Sequence, residues 1–334
     1  MRFGPVPLSE ASGAILAHSE LLGDGRLRKG TVLGPSEIAR LAAAGLAEVT
    51  VAHPDPDDVP EDTAAARLAA ALVPDPDAAR LSVSQAFTGR VNLNARVPGI
   101  VEIDAPRVHA LNRIHPAITL ATLAPLTRVT PGLLTGTVKI IAYAVPEAAL
   151  VQAEAVARGA IRIRPVTRAT AGLLLTEVLG QEAKIAAKGR RAIEGRLRAL
   201  GMRLASCLTV PHEAGPMAAA LAAMQGDLLL ILTGSATSDI DDTAPQAVRA
   251  AGGTVARFGM PVDPGNLLFL GALQGRPVIG LPGCARSPAL NGADWVLERL
   301  ACGMDLTDED IAAMGVGGLL KEIPIRPQAR EPKG

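Results

Sequence analysis

The chain has 334 residues, with 33 basic and 33 acidic side chains, so its formal net charge is zero. A chain with this balance has no excess of positive charge to attract a polyanion. One Trp, one Tyr and four Phe are also too few for a surface on which nucleic acid bases stack. We therefore expect no nucleic acid partner. The length is sufficient for two or three domains with a sizeable core.

The cysteines and the apolar runs set the expected compartment. Cys207, Cys284 and Cys302 lie far apart and form neither a disulfide framework nor a zinc-binding spacing. The first residues have no apolar core of the signal-peptide type, and runs such as 228–232 are too short to span a membrane. We expect a soluble, cytoplasmic protein that has no membrane partner.

The first half of the chain is interpreted as two small modules. In residues 1–80, an α+β module, the patterns predict strands at 13–17, 29–33 and 48–52, helices at 37–44 and 63–72, and a loop at 53–61. Residues 81–160 are richer in strands. Short runs separated by turn residues predict strands at 89–93, 99–103, 117–123 and 135–143, followed by a helix at 145–158.

Residues 161–305 alternate strand and helix patterns, which predicts an α/β domain with a mostly parallel sheet and helices on both faces. The predicted strands are 172–176, 205–210, 227–232, 254–258, 267–273 and 277–281. The predicted helices are 189–200, 216–224, 245–251 and 287–301. The first of these helices is expected to expose Arg190, Arg191, Arg196 and Arg198. Residues 306–334 are interpreted as a tail or linker, which is rich in Pro from Pro324 onward.

A first candidate loop follows the apolar strand at 227–232. It consists of small and hydroxylated residues, namely Thr233, Gly234, Ser235, Ala236, Thr237 and Ser238. A buried strand that runs into such a loop and then into a helix is a common anion site. Three acids follow, Asp239, Asp241 and Asp242, and carboxylates suit a hard cation such as Mg²⁺. The alternative is that Asp241 and Asp242 cap the next helix.

Two further loops end or join predicted strands. The second is Asp263-Pro-Gly-Asn266, in which Pro-Gly alone indicates only a tight turn. The third is Leu281-Pro-Gly-Cys-Ala-Arg-Ser287, where Ser287 is a natural helix N-cap with Pro288 at the first helical position. Capping gives no reason for Arg286, which favours an anion site. Cys284 is interpreted as a small buried thiol rather than a nucleophile.

Two other groups of residues have simpler interpretations. Lys184, Lys188, Arg190 and Arg191 lie near a predicted helix start, where they either bind phosphate or form a solvated face. His212 and Glu213 follow a predicted strand and are interpreted as loop residues rather than metal ligands.

Together the three loops resemble the molybdopterin-binding domain shared by MogA-type adenylyltransferases and MoeA-type molybdotransferases (the MoaB/Mog domain). The family's first loop is similar to Thr233-Gly-Ser-Ala-Thr237, the spacer 238–241, Asp242 and Ala244-Pro-Gln-Ala247. Its turn is similar to Pro264-Gly-Asn266, and its Leu-Pro-Gly loop is similar to Leu281–Ser287. Ser235, Thr237, Cys284 and Ala285 depart from the family pattern, and a Ser or Thr side chain narrows the approach of a ligand to the backbone.

The resemblance implies a set of site residues. The expected molybdopterin-binding residues are Thr233, Gly234, Ser235, Ala236, Thr237, Ser238, Pro264, Gly265, Asn266, Pro282, Gly283, Cys284, Arg286 and Ser287. Asp242 matches the family's catalytic acid and is the expected Mg²⁺ ligand. Asp239 is the second expected catalytic residue. Binding of a pterin phosphate is better supported than adenylyl transfer or molybdate insertion.

The whole chain looks most similar to the molybdopterin-binding module that is elsewhere fused to a cytidylyltransferase-type domain. Residues 13–18, 27–30 and 37–45 resemble the leading segments of MoeA-like proteins more loosely. The resemblance implies a role in molybdenum cofactor biosynthesis, as a transferase that activates molybdopterin or inserts molybdenum. Its expected ligand is molybdopterin or the nucleotide or molybdenum-loaded form.

Two alternatives to a transferase stay open. The first is a carrier that hands the cofactor to a separate cytidylyltransferase or molybdoenzyme, and the second is a pyrophosphatase of the same fold that acts on nucleotide cofactors. The resemblance also implies a homo-oligomer.

Overall fold

The structure is a computed structural model, and it describes residues 1–178 and 183–320. The chain divides into two compact units. The N-terminal unit contains residues 1–97 and 101–163, and the C-terminal unit contains residues 98–100 and the chain from 164 onward. The predicted modules 1–80 and 81–160 both fall within the N-terminal unit, and whether each folds separately stays a prediction.

The N-terminal unit is built mainly from short strands. In chain order, with β9 and β14 running across the unit boundary, the strands are β1 (Arg2–Pro7), β2 (Ile15–Leu16), β3 (Glu20–Leu22), β4 (Gly25–Leu27), β5 (Glu48–His53), β6 (Asp58–Pro60), β7 (Leu81–Val83), β8 (Arg90–Ala95), β9 (Gly99–Ile103), β10 (Ile118–Thr122), β11 (Arg128–Val129), β12 (Leu134–Ile140), β13 (Ala144–Pro146) and β14 (Ile161–Pro165). The helices are α1 (Pro35–Ala43), α2 (Glu61–Leu72), α3 (Pro76–Ala79), α4 (Ala105–Asn112) and α5 (Glu147–Ala157).

Two separate apolar clusters stabilise this unit. One lies within residues 8–51, where β5 pairs with β1 and β2. The other lies within residues 59–163, where α2 packs on the antiparallel sheet β10-β12-β8-β7. The predicted strand at 29–33 is wrong, because only Val32 forms an isolated bridge there. The predicted loop at 53–61 also contains β6.

The described part of the C-terminal unit contains one six-stranded sheet and five α-helices. The strands are β15 (Thr170–Glu177), β16 (Arg203–Pro211), β17 (Leu228–Leu232), β18 (Thr254–Phe258), β19 (Phe269–Leu273) and β20 (Arg276–Gly280). The helices are α6 (Ala183–Ala199), α7 (Ala214–Ala223), α8 (Thr243–Ala250), α9 (Gly292–Ala301) and α10 (Asp308–Ala312). The strand order is β16-β15-β17-β20-β19-β18. The first four strands are parallel and β19 is antiparallel to both its neighbours, which confirms the predicted mostly parallel sheet.

The two faces of this sheet bury different apolar clusters. Side chains alternate along a strand, so Leu228, Leu230 and Leu232 of β17 pack with residues of α6 and α9. Leu229 and Ile231 face the other way and pack with residues of α7 and α8. Each such side chain contributes about 1.5–3 kcal/mol when it is fully buried. The prediction of helices on both faces is confirmed.

Three sequence expectations for the C-terminal unit are wrong in detail. Arg196 is not on an exposed side of its helix, because it forms a buried ion pair with Asp294. The last long helix begins at Gly292 rather than at 287. The segment 306–320 is not a free tail, because α10 buries Ile311, and Met314 follows it into the same core. Residues 321–334 lie outside the described part of the chain.

The helices give no sign of a membrane span. Within residues 1–178 and 183–320, every helix is too short or too polar to cross a bilayer.

Candidate functional site

The candidate site lies at the carboxyl edge of the four parallel strands. Along the sheet, β15 connects forward to β16 on one side, whereas the chain then crosses back to β17 on the other side of β15. The strand order therefore reverses between β15 and β17. In open α/β sheets, ligands bind in the crevice outside the carboxyl ends of the strands at such a reversal.

The first loop starts at this reversal and is tied to β15. The Gly234 N–H donates a hydrogen bond to Thr176 Oγ1 at 2.8 Å, and Thr176, at the end of β15, is only 3% exposed. Thr233 and Thr237 are buried, whereas Ser235, Ala236 and Ser238 are exposed. A side-chain hydroxyl of the neighbouring strand thus fixes where the loop leaves the sheet.

The middle of the first loop offers unpaired backbone donors. The N–H groups of Ser235, Ala236 and Thr237 donate to no acceptor within the described residues. Neither Ser235 nor Thr237 adopts a positive φ angle. Both departures from the family's glycines therefore fit the backbone without the strain that a left-handed conformation imposes on such residues. Three consecutive donors at a strand end form a cradle for an anion.

The three acids after the loop are engaged in local hydrogen bonds. Asp242 is the N-cap of α8. Its Oδ1 accepts from the Thr243 N–H at 2.6 Å, and its Oδ2 accepts from the Ser238 N–H at 2.9 Å. Asp239 Oδ1 accepts from the Asp241 N–H at 2.8 Å. The capping alternative therefore applies to Asp242, and the catalytic roles of Asp239 and Asp242 stay predictions.

The environment of Asp242 also favours its charged form. Burial alone would raise the pKa of Asp242, but the hydrogen bonds from Ser238 and Thr243 outweigh burial. The nearby His212 acts in the same direction, so the pKa of Asp242 lies below its ordinary value. The carboxylate is thus held ionised by the donors that shape the loop.

A magnesium site does not emerge from these carboxylates. Among the residues that the structure describes, no three His, Cys, Asp or Glu side chains come together as a metal-binding group. The oxygens of Asp242 are already shared among backbone donors. The described residues therefore form no cage of protein ligands for Mg²⁺, and Asp242 as a metal ligand stays a prediction.

The second loop contacts the start of α9. The Asp263–Pro264 peptide bond is cis, and the Pro264 carbonyl accepts from the Gly292 N–H at 2.8 Å. Gly265 has a φ angle of 140°, and a Cβ there would lie 2.5 Å from the Gly292 nitrogen. Only glycine fits such a close approach. Within the described residues, the hydrogen bonds of Pro264, Gly265 and Asn266 do not reach the first loop.

The third loop is organised from outside by Arg196 of α6. Its Nε donates to Asp294 Oδ1 at 2.6 Å, and its remaining nitrogens donate to loop carbonyls. These acceptors are Ala285 O at 2.9 Å, Ser287 O at 2.8 Å and Ala289 O at 3.1 Å. Pro282 and Gly283 lead into a short 3₁₀ turn, Gly283–Arg286, and Cys284 is half-buried within it.

The predicted cap at Ser287 is wrong. Asn291 caps α9, because its side chain accepts from the Ala293 N–H at 3.0 Å while Asp294 Oδ2 accepts from the Asn291 N–H at 2.8 Å. This reciprocal capping box competes successfully with Ser287. The carbonyl of Ser287 is instead an acceptor for Arg196.

Arg286 connects the third loop to the first. Its guanidinium donates to the Thr233 carbonyl, whereas its Nε is buried and has no hydrogen-bond partner among the described residues. Burial lowers the pKa of Arg286 below its ordinary value. A buried cationic donor without an acceptor is costly, so this group is suited to an anionic ligand that would complete its hydrogen bonds.

Sequence reasoning missed three residues of this edge, namely Thr176, Arg196 and His212. His212 follows β16, and its Nδ1 lies 3.0 Å from Thr176 Oγ1. A signal for Thr176 and His212 was present, because both are polar residues at carboxyl ends of predicted parallel strands. No sequence signal distinguishes Arg196 from the other arginines of α6.

Comparison with known families locates the match in the C-terminal unit. Residues 174–301 match the model of a family described as the probable molybdopterin binding domain, and residues 5–53 match a family described only as a domain of unknown function. No curated protein gives a significant match.

Solved structures of archaeal proteins also align with the chain. The molybdopterin biosynthesis MoeA protein of Pyrococcus horikosii is 15% identical over 90% of this chain and 75% of its own length, with a TM-score of 0.30. A molybdenum cofactor biosynthesis protein of Pyrococcus furiosus is 13% identical over 93% of this chain and 65% of its own length, with a TM-score of 0.24. These TM-scores are too low to support an argument.

The domain match confirms the resemblance found in the three loops, whereas the link to a cytidylyltransferase domain stays a prediction. Residues 174–301, the part of the chain that matches the probable molybdopterin binding domain, include all three loops and the sheet edge they follow.

Proposed function

We propose that this protein takes part in molybdenum cofactor biosynthesis by binding the phosphate of molybdopterin, or of its nucleotide or molybdenum-loaded form. The observation that carries the proposal is a set of unpaired donors at one edge of the sheet. These donors are the N–H groups of Ser235, Ala236 and Thr237 and the buried Nε of Arg286.

These donors suit a phosphate for two reasons. Backbone N–H groups at a strand end satisfy phosphate oxygens without adding charge, whereas a guanidinium adds a charge-assisted hydrogen bond. Arg286 already contacts the Thr233 carbonyl, so both sets of donors serve the same crevice beside β17. The ligand phosphate would lie on 235–237, with Arg286 beside it.

Binding is better supported than a transfer reaction. Asp239 and Asp242 accept hydrogen bonds from the backbone around them, and this role alone accounts for their positions. A carrier that hands molybdopterin to a cytidylyltransferase or a molybdoenzyme is therefore the second candidate. Turnover assays with molybdopterin, ATP or CTP, Mg²⁺ and molybdate distinguish a carrier from a transferase. Oligomerisation and a cytoplasmic location stay predictions.

The test is anaerobic equilibrium dialysis of molybdopterin against the full chain and against its Arg286→Met variant, with the pterin quantified after oxidation to its fluorescent form. We expect saturable binding by the unaltered protein and a loss of about 10- to 100-fold in affinity for the variant, because a hydrogen bond from a charged group is removed. The melting temperature should fall only slightly, because the variant loses one hydrogen bond, to the Thr233 carbonyl, whereas the buried Nε of Arg286 has no partner among the described residues.

A matched control is Arg203→Met, at the amino end of β16 and therefore at the opposite edge of the sheet. Its affinity for molybdopterin should equal that of the unaltered protein. Equal affinity in the Arg286→Met variant would remove Arg286 from the site. Absence of saturable binding by the unaltered protein would refute the proposed function.

A further inference from the structure

A hydrogen-bonded chain links β16 to the first loop through β15. Thr176 Oγ1 accepts from the Gly234 N–H at 2.8 Å and lies 3.0 Å from His212 Nδ1. The backbone also fixes the position of the imidazole, because the His212 N–H donates to the Glu177 carbonyl at 3.0 Å. One buried hydroxyl thus holds both the ring of His212 and the start of the phosphate-binding loop.

The partners of Thr176 determine which nitrogen of the neutral ring carries the proton. A hydroxyl has one proton and two acceptor positions, and one acceptor position of Thr176 receives the Gly234 N–H. Within the described residues, His212 Nδ1 is the only acceptor within hydrogen-bond distance of the Thr176 hydroxyl proton. Nδ1 is therefore the acceptor, and the ring proton lies on Nε2.

The Nε2–H of His212 is directed away from Thr176 and has no acceptor within the described residues. The ring is close enough to Asp242 to lower the pKa of that carboxyl group. Since Thr176 Oγ1 contacts both His212 Nδ1 and the Gly234 N–H, the imidazole lies beside the start of the first loop, the segment between Gly234 and Ser238. This segment contains the three unpaired N–H groups.

We infer that His212 contacts the ligand directly and that its Nε2–H donates to a phosphate oxygen held on the amides of residues 235–237. The inference rests on the proposed function and adds a side chain to it. His212 follows β16 and Arg286 follows β20, so the two side chains approach the β15–β17 crevice from opposite sides. The phosphate is then bound by the backbone between an imidazole and a guanidinium.

The two nitrogens of His212 allow a test with matched variants. His212→Gln keeps an N–H donor near the position of Nε2, whereas His212→Asn keeps a polar group near Nδ1 and Thr176. His212→Ala removes both. His109→Asn is the control, because His109 is an exposed histidine of α4 in the N-terminal unit. Each protein is titrated with molybdopterin under anaerobic conditions, and its melting temperature is measured.

We expect His212→Ala and His212→Asn to weaken molybdopterin binding by about tenfold or more, as for a lost hydrogen bond to a charged group. His212→Gln should retain most of the affinity, and His109→Asn all of it. In ¹⁵N spectra of the unaltered protein, the Nε2 resonance of His212 should shift on addition of molybdopterin, whereas the Nδ1 resonance should move little.

If His212→Asn retained the affinity and His212→Gln did not, the ring would act only by holding Thr176 in position, and the inference would be overturned. Unchanged affinity in all three His212 variants would overturn it as well and leave the proposed function intact. Absence of molybdopterin binding by the unaltered protein would overturn both.

Discussion

The first and third loops lie at the same sheet edge but are stabilised in opposite ways. In the first loop, the carboxylates of Asp239 and Asp242 accept from backbone N–H groups a few residues away. In the third loop, a cation from another element, Arg196, donates to backbone carbonyls. The first loop is thus stabilised by its own carboxylates, and the third loop by an arginine that is distant in the sequence.

This difference shows which charged groups are available to a ligand. The carboxylates of Asp239 and Asp242 accept hydrogen bonds within the protein, whereas the buried Nε of Arg286 in the third loop has no acceptor in the part of the chain that the structure describes. An arrangement with satisfied anions and an unsatisfied cation favours an anionic ligand. The comparison predicts that the two loops respond differently when their charged groups are replaced.

The largest loss of stability should come from replacing Arg196, the arginine that holds the third loop. Arg196→Met leaves the Asp294 carboxylate buried without its partner, since the two side chains are only 9% and 11% exposed. Breaking such a pair costs about 3–5 kcal/mol, which urea unfolding would measure. The control on the same helix is Arg190→Met, which breaks an exposed pair with Glu194 and should cost about 0.3–0.5 kcal/mol. If Arg196→Met and Arg190→Met lowered the free energy of unfolding equally, Arg196 would not stabilise the third loop.

A smaller effect is expected from the cap of the first loop. Asp242→Ala removes the acceptor for Thr243 and Ser238, and loss of an N-cap costs about 1 kcal/mol in the free energy of unfolding. Asp242→Asn keeps a cap-forming oxygen and should retain most of the stability, as should Asp241→Asn. If Asn destabilised the protein as much as Ala, charge rather than capping would be the stabilising factor.

The smallest expected effect is a pH dependence of the stability that Asp242 contributes. Because the pKa of Asp242 is lowered in the folded protein, its ionised form contributes stability above the unfolded-chain pKa of about 3.9, and this stability is lost as the pH falls through the folded-state value. The difference in melting temperature between the unaltered protein and Asp242→Asn should therefore shrink on acidification below roughly pH 5. A difference independent of pH would contradict this coupling.

The strand–helix alternation of the C-terminal unit was predictable because buried parallel strands leave continuous apolar runs, such as Leu228–Leu232. The N-terminal unit was harder to predict, since β2 and β11 contain only two residues each. The start of α9 was misplaced because Ser287-Pro288 and Asn291 are both good capping sequences. The reciprocal capping box of Asn291 and Asp294 and the tertiary contact of Arg196 with the Ser287 carbonyl together decide between them.

The sequence was sufficient to predict which loops form the candidate site, but not which side chains hydrogen-bond to them. Loop composition indicated an anion site, but the pairing of Thr176 with His212 and Gly234 joins residues 36 and 58 positions apart. Such contacts depend on the order of strands in the sheet, which the sequence pattern does not specify. The same holds for Arg196, whose partner Asp294 lies 98 residues away.

The hairpin between β19 and β20 has a practical consequence for these experiments. Its turn, Gln274–Gly275, is exposed and precedes the amino end of β20, whereas the third loop follows the carboxyl end of that strand. A five-residue strand separates them by about 16 Å. An affinity tag or a surface anchor inserted between Gln274 and Gly275 would therefore immobilise the protein with its binding edge facing the solution.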